Sequence, residues 1–227
     1  MAKDIFVHTV KNVFDCASFL FEQGILITHL DFGGGLGVPV TGVPQHEEDI
    51  IEHVNFLAST IKNQSLFYPE LLKLWQKDFS NLFVCLEPGR SVVASSTIFL
   101  TTVLYTKINS PEYRFCTVDG AMNDFPRPSL YGAEHHAEVV NFTEASSQRN
   151  LELLNWQIVG PVCESGDFLS KKSSLPHLKK NDVIAFFEAG AYCRSMASQY
   201  NLRPLPSELF IKGATITDSQ HIIQWQN

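Results

Sequence analysis

The chain has 227 residues, 44% of them hydrophobic, enough to bury a core in one large domain or two smaller ones. Its 24 acidic and 17 basic side chains include no Lys/Arg block, which excludes the electrostatic footprint of a nucleic-acid binder. The most apolar stretch, Val92 to Tyr105, is interrupted by Ser95, Ser96, Thr97, Thr101 and Thr102 and is too short to span a bilayer.

The start, Met1-Ala2-Lys3-Asp4, leads into a mixed segment and not into an apolar signal core, so a soluble cytoplasmic protein is predicted, with neither nucleic acid nor membrane as partner. Cys16, Cys85, Cys116, Cys163 and Cys193 are odd in number, widely spaced and form no CxxC pair, which argues against a disulfide frame or a zinc knuckle. His135-His136, and His46-Glu47-Glu48 with His53, miss the HExxH spacing; they are expected to be surface or core histidines, and no metal site is predicted.

In chain order, Val13, Phe14, Ala17, Leu20 and Phe21 share one helical face within residues 11–23, with Gly24 as the stop. Ile25 to Phe32 reads as a buried strand running into Gly33-Gly34-Gly35, and residues 47–61 return to helical periodicity. Leu82 to Leu86 is a second short strand that ends in Glu87-Pro88-Gly89-Arg90. Helices alternating with buried strands imply a parallel sheet or barrel. Beyond about residue 96 the runs Phe99–Ile108, Phe115–Asp119, Ala137–Phe142, Trp156–Val162, Val183–Phe187 and Leu209–Ile216 are β-rich and separated by Pro, Gly, Asn and Ser. The chain is therefore read as an α/β part, residues 1–95, followed by an all-β part, residues 96–227.

Several motifs could carry chemistry. Three glycines after an apolar strand let backbone amides approach an anion, although a glycine turn without a ligand explains them as well, and Gly33-Gly34-Gly35-Leu36-Gly37 does not fit GxGxxG. Asp31-Phe32-Gly33 spells a kinase-like tripeptide without the other kinase loops, and that reading is discarded. Glu87 and Arg90 stand where a strand ends, the active-site face if the sheet is a barrel; a surface Pro-Gly turn competes. Arg127 and Tyr131 are close enough in sequence to converge on one carboxylate, or simply to pack a loop. Cys163 and Glu164, with Asp167, could gather a thiol and two carboxylates in a polar loop, against a buried cysteine beside solvated acids. Tyr192 could aim its phenol into a cleft or belong to the core.

In this order, the strings HLDFGGGLG, EPGR, DGAMNDFPRPSLYGA, VGPVCESGDFL and EAGAYCRSMASQYNLRP resemble the signature segments of diaminopimelate decarboxylases, bacterial-type members of the alanine-racemase-like, fold-type-III pyridoxal-phosphate decarboxylases. The match runs from about Gly24 to about Ile211. The resemblance implies the C-terminal portion of a (β/α)8 TIM-type barrel over residues 1–95 and a β-sandwich or β-barrel-like domain over residues 96–227. It implies that Gly33, Gly34 and Gly35 cradle the phosphate of pyridoxal 5'-phosphate, and that Glu87 faces its pyridine nitrogen. Arg90 would lie near phosphate and substrate, Arg127 and Tyr131 would hold a substrate carboxylate, and Tyr192 would touch cofactor or substrate. In a head-to-tail dimer Cys163, as proton donor or its positioner, and Glu164, reading the distal amino end, would enter the neighbouring subunit's site.

The family's YAxKAN-like segment with the cofactor lysine, and its HxGSQ-like histidine segment, find no match. Val10-Lys11-Asn12 falls in the first helix, and His8 lies too close to Gly33. The chain is therefore expected to be a late-starting decarboxylase polypeptide, a truncated product, fragment or split half, inactive alone. It would associate as a homodimer or with a complementary N-terminal half. The competing readings are a non-catalytic regulatory or dimerising subunit and a related basic amino-acid or polyamine decarboxylase.

Overall fold

The computed structural model describes residues 3–35, 37–38, 47–76, 80–140, 152–213 and 215–218. The chain divides into two compact units, Met1–Ser96 and Thr97–Asn227.

In the first unit, helix α1 (Lys3–Glu22) starts two turns before the predicted helix and buries Phe6, Val10, Phe14 and Ala17, one stripe at helical spacing. Its end is a Schellman motif: the Gly24 amide donates to Phe21 O at 2.9 Å, that of Ile25 to Leu20 O at 3.0 Å, and Gly24 takes φ +79°. Using the Ile25 amide in this cap delays the strand. Strand β1 is therefore only His29–Asp31, and Ile25 and Leu26, predicted as buried strand, are exposed. Helices α2 (Glu47–Ser65) and α3 (Pro69–Leu74) follow; α3, unpredicted, has proline in its first turn, where the missing N–H costs nothing. Trp75, fully buried, ends α3 and donates its indole N–H to Ile27 O at 2.8 Å, tying the helix to the lead-in of β1. Strand β2 (Phe83–Cys85) pairs with β1 in parallel, and the short helix α4 (Arg90–Val93) closes the α/β unit.

The second unit contains strands β3 (Phe99–Ile108), β4 (Arg114–Val118), the short helix α5 (Arg127–Tyr131), β5 (Ala137–Val139), β6 (Leu154–Val159), β7 (Phe168–Leu175) and β8 (Val183–Phe186). Six of them form one sheet in the order β5-β8-β3-β4-β6-β7, antiparallel except for the parallel β4–β6 pair. The edge strands β5 and β7 approach each other, so the sheet is nearly closed into a barrel. Of the two predicted β architectures the barrel-like one is found, because a single six-stranded sheet wraps around Val103, Val118, Trp156, Ile158, Leu169, Ile184 and Phe186.

Strand β7 was not predicted: its Ser and Lys residues hide a pattern in which Leu169, Ser173 and Leu175 turn inward. Strand β6 ends at Val159, earlier than predicted, since the Gly160 amide bonds Asp167 O and Pro161 has no N–H to offer. For the run Ala137–Phe142, residues 141 and 142 lie outside the described residues. After helix α6 (Cys193–Met196), the run Leu209–Ile216 proves to be a hairpin, β9 (Leu209–Lys212) and β10 (Thr215–Asp218), with Gly213 at φ +61° before the turn.

Candidate active site

Parallel pairing puts the C-terminal ends of β1 and β2 side by side, so the glycine turn and the Glu87–Arg90 turn meet; the Glu87 amide donates to Gly33 O at 2.8 Å. The three glycines serve different needs. Gly33 and Gly35 occupy the left-handed region, φ +67° and +85°, which disfavours side chains. At Gly34 a Cβ would overlap the Glu87 carbonyl, so here glycine permits close backbone approach. The Gly33 amide is engaged by Asp31 Oδ1 at 2.7 Å. Among the described residues, the Gly34 and Gly35 amides donate to no protein acceptor, and neither Glu87 nor Arg90 has a side-chain partner. Every described lysine of this unit lies on a helix, and Lys11 pairs with Asp15 on α1 at 2.8 Å.

In the second unit Arg127 opens α5. Its Nη1 donates to Nε2 of buried His135 at 3.2 Å, and its guanidinium carbon lies 5.9 Å from the centre of the Tyr192 ring. Tyr192 stands before α6 with φ +67°, half exposed; for a bulky residue that backbone costs on the order of 1–2 kcal/mol, strain of the kind that gathers at binding sites. Tyr131, on the same helical turn as Arg127, is exposed. The following segment is held by Asn123, which donates Nδ2 to Ser198 O at 3.1 Å and accepts the Ser198 amide at 2.9 Å.

The loop after β6 presents Cys163 and Glu164 to solvent. Neither reading of this loop, a thiol gathered with two carboxylates or a buried cysteine beside solvated acids, is what is found: the thiol is exposed and one of the acids is buried. Asp167 is buried, and its oxygens accept the Met122 amide at 2.7 Å and the Val162 amide at 2.6 Å. It staples the loop from beneath. A Cβ at Gly160 would overlap that carboxylate, and one at Gly166 would come within 2.9 Å of Ser129 Oγ on α5, so both glycines let the loop lie down. Glu164 meets Tyr200, whose hydroxyl donates to Oε2 at 3.4 Å, a partner not read from sequence because one tyrosine 36 positions away carries no spacing signal.

His135 is a core histidine as expected, with Nδ1 donating to Phe187 O at 2.9 Å; His136 pairs with Glu138 at 2.7 Å. Among the described residues no cluster of His, Cys, Asp or Glu could hold a metal, and no helix is long and apolar enough to cross a membrane.

Residues 13–190 match the family described as pyridoxal-dependent decarboxylase, C-terminal sheet domain. The chain belongs to this family. It is 34% identical over 209 residues to the diaminopimelate decarboxylase of Methanothermobacter thermautotrophicus, covering 91% of this chain and 45% of that protein. It is 38% identical over 206 residues to the Helicobacter pylori diaminopimelate decarboxylase, covering 91% and 45%. The crystal structure of that enzyme complexed with L-lysine superposes with a TM-score of 0.70 at 33% identity, over 96% of this chain and 48% of the other. The chain thus spans about half the length of the curated relatives it matches.

The first unit fits a phosphate-bearing cofactor. Among the described residues the Gly34 and Gly35 amides have no protein acceptor, only backbone stands against an added Cβ at Gly34, and Arg90 follows at the end of the neighbouring strand.

Proposed function

We propose that this chain supplies the C-terminal half of a pyridoxal-phosphate-dependent diaminopimelate decarboxylase, converting meso-2,6-diaminopimelate to L-lysine and CO2. Its first unit, residues 1–95, is then the C-terminal portion of a TIM-type barrel and residues 96–227 its β domain. The observation that carries this reading is the meeting of the glycine turn with the Glu87–Arg90 turn at the C-terminal ends of adjacent parallel strands, where barrel active sites are built. Gly34 and Gly35, with Gly33 shaping the turn, would hold the phosphate, and Arg90 would balance its charge. The Glu87 carboxylate would keep the pyridine nitrogen protonated. So held, the cofactor supplies an electron sink for the pair left by departing CO2.

Arg127 and Tyr131 would grip a carboxylate and Tyr192 would border cofactor or substrate. Glu164, oriented by Tyr200, would read the distal ammonium. Cys163, exposed on the same loop, would deliver or position the returning proton, in a partner's site if the chains pair head to tail. A substrate with a second amino-acid head suits this set of groups, since it offers a cation to Glu164 and a carboxylate to the arginine.

The test is complementation. The chain by itself should release no CO2 from diaminopimelate. Mixed with a chain that carries the cofactor lysine but is disabled at its own Cys-Glu loop, it should restore decarboxylation, and Glu164→Ala should abolish the rescue. Demonstrated association without activity would instead support a non-catalytic subunit.

A further inference from the structure

Arg127 is held by a residue whose chemistry the reading above leaves unused. His135 is 9% exposed, and both ring nitrogens have partners: Nδ1 lies 2.9 Å from Phe187 O, and Nε2 lies 3.2 Å from Arg127 Nη1. A carbonyl oxygen can only accept, so Nδ1 carries the proton. The guanidinium can only donate, so Nε2 must offer its lone pair. The two contacts together favour one arrangement, a neutral imidazole protonated at Nδ1, because a proton on Nε2 would point at the guanidinium N–H that donates to it.

The ring is also fixed in orientation. Phe125, fully buried, meets it edge-on at 4.6 Å between centroids and 62° between planes, and Phe125 is itself stacked on Phe99 at 5.1 Å and 9°. Phe187, whose carbonyl anchors Nδ1, is in turn bonded through its amide to His136 O at 2.9 Å, beyond the last residue of β8. On its other side the guanidinium faces the Tyr192 ring.

We propose that His135 is a positioning residue for Arg127: as the Nδ1-protonated imidazole, braced by Phe187 O and Phe125, it accepts from Nη1 and sets the plane in which the guanidinium meets a carboxylate of the ligand. The proposal rests on reading Arg127 as the carboxylate-binding group. A carboxylate is bound best by a guanidinium already held in plane, because the fork then forms without the loss of side-chain freedom.

Two substitutions separate the two contacts. His135→Asn keeps a donor for Phe187 O and removes the acceptor for Arg127, while His135→Gln extends an amide oxygen toward Arg127. Long-range 1H–15N correlation on the 227-residue chain should show His135 protonated at Nδ1 and bare at Nε2. The Arg127 guanidinium should be ordered in the wild type, averaged in His135→Asn and ordered again in His135→Gln. In the complemented decarboxylase, His135→Asn should raise KM for diaminopimelate about tenfold with kcat within about threefold, the size of one charge-assisted hydrogen bond, and His135→Gln should recover most of it.

An Nε2-protonated ring, or an Arg127 guanidinium unchanged in a folded His135→Asn, overturns the proposal. If His135→Asn does not fold, the wild-type tautomer and His135→Gln decide alone. Should complementation fail while the tautomer and Arg127 ordering are as stated, the decarboxylase reading falls and the positioning of Arg127 stands. Should complementation succeed with KM unmoved in His135→Asn, the reverse holds.

Discussion

Among single residues the five cysteines divide sharply. Cys16, Cys85 and Cys163 are exposed, whereas Cys116 and Cys193 are buried. Burial pushes the Cys116 thiol up to about 12, with the Asp182 carboxylate adding to the effect, and the Cys193 thiol up to about 11 against the opposing pull of Arg127. A thiol whose folded value is raised stabilises the fold fully below its ordinary value of 9.0, and that contribution is lost as pH rises through the folded value. The unfolding midpoint should therefore fall between pH 9 and about 12, and Cys116→Val should flatten the decline. At pH 8 three thiols should react with a disulfide reagent in the native chain and five after denaturation; fast labelling of Cys116 in the native chain would contradict this assignment.

Single residues were also the hardest to read from sequence. Cys163 and Asp167 are neighbours in the chain, yet one is exposed and the other buried as a staple, since only the packing of the loop against Met122 and Ser129 decides which side each faces. Tyr200 meets Glu164 across 36 positions and His135 is anchored by Phe187 across 52, separations at which no local pattern forms.

At the level of elements, the close turn at Gly34 is the most exacting feature of the first unit. Gly34→Ala forces its Cβ into the Glu87 carbonyl and should cost about 1–3 kcal/mol in urea unfolding. Gly89→Ala, with open space around the new methyl and φ −87°, should be neutral to slightly stabilising. Equal effects of the two would refute the close-approach argument. In the second unit, Asp167→Ala leaves the Met122 and Val162 amides without their acceptors and should cost about 3 kcal/mol. Hydrogen exchange of the amides from 162 to 166 should quicken before the sheet itself opens.

Elements with an unmixed pattern were legible: β3 is Phe99–Ile108 as predicted, and α1 ends at the predicted glycine. The polar run Phe168–Leu175 was not, because its inward positions include Ser173, and a bulge between Trp156 and Ile158 of its partner strand breaks the strict alternation. The hairpin of β9 and β10 read as one run because Gly213 alone marks the turn.

For the whole molecule, the two units differ in how their sheets are secured. In the first, β1 and β2 pair over three residues each; in the second, six strands wrap around one core. Amides of β3, β4, β6 and β8 should therefore show the slowest exchange in the chain, and those of β1 and β2 should open at lower free energy. Uniform protection across both sheets would contradict this.

The central claim concerns what the paired groups of the second unit select. The most direct measurement is CO2 release by the complemented mixture from meso-diaminopimelate, compared with ornithine, lysine and arginine at equal concentration. Ornithine, lysine and arginine each offer a distal cation to Glu164 but no second carboxylate to Arg127, so diaminopimelate should be favoured by about a hundredfold or more in kcat/KM. Comparable or faster turnover of ornithine or arginine would contradict the account and assign the chain to a basic amino-acid decarboxylase instead.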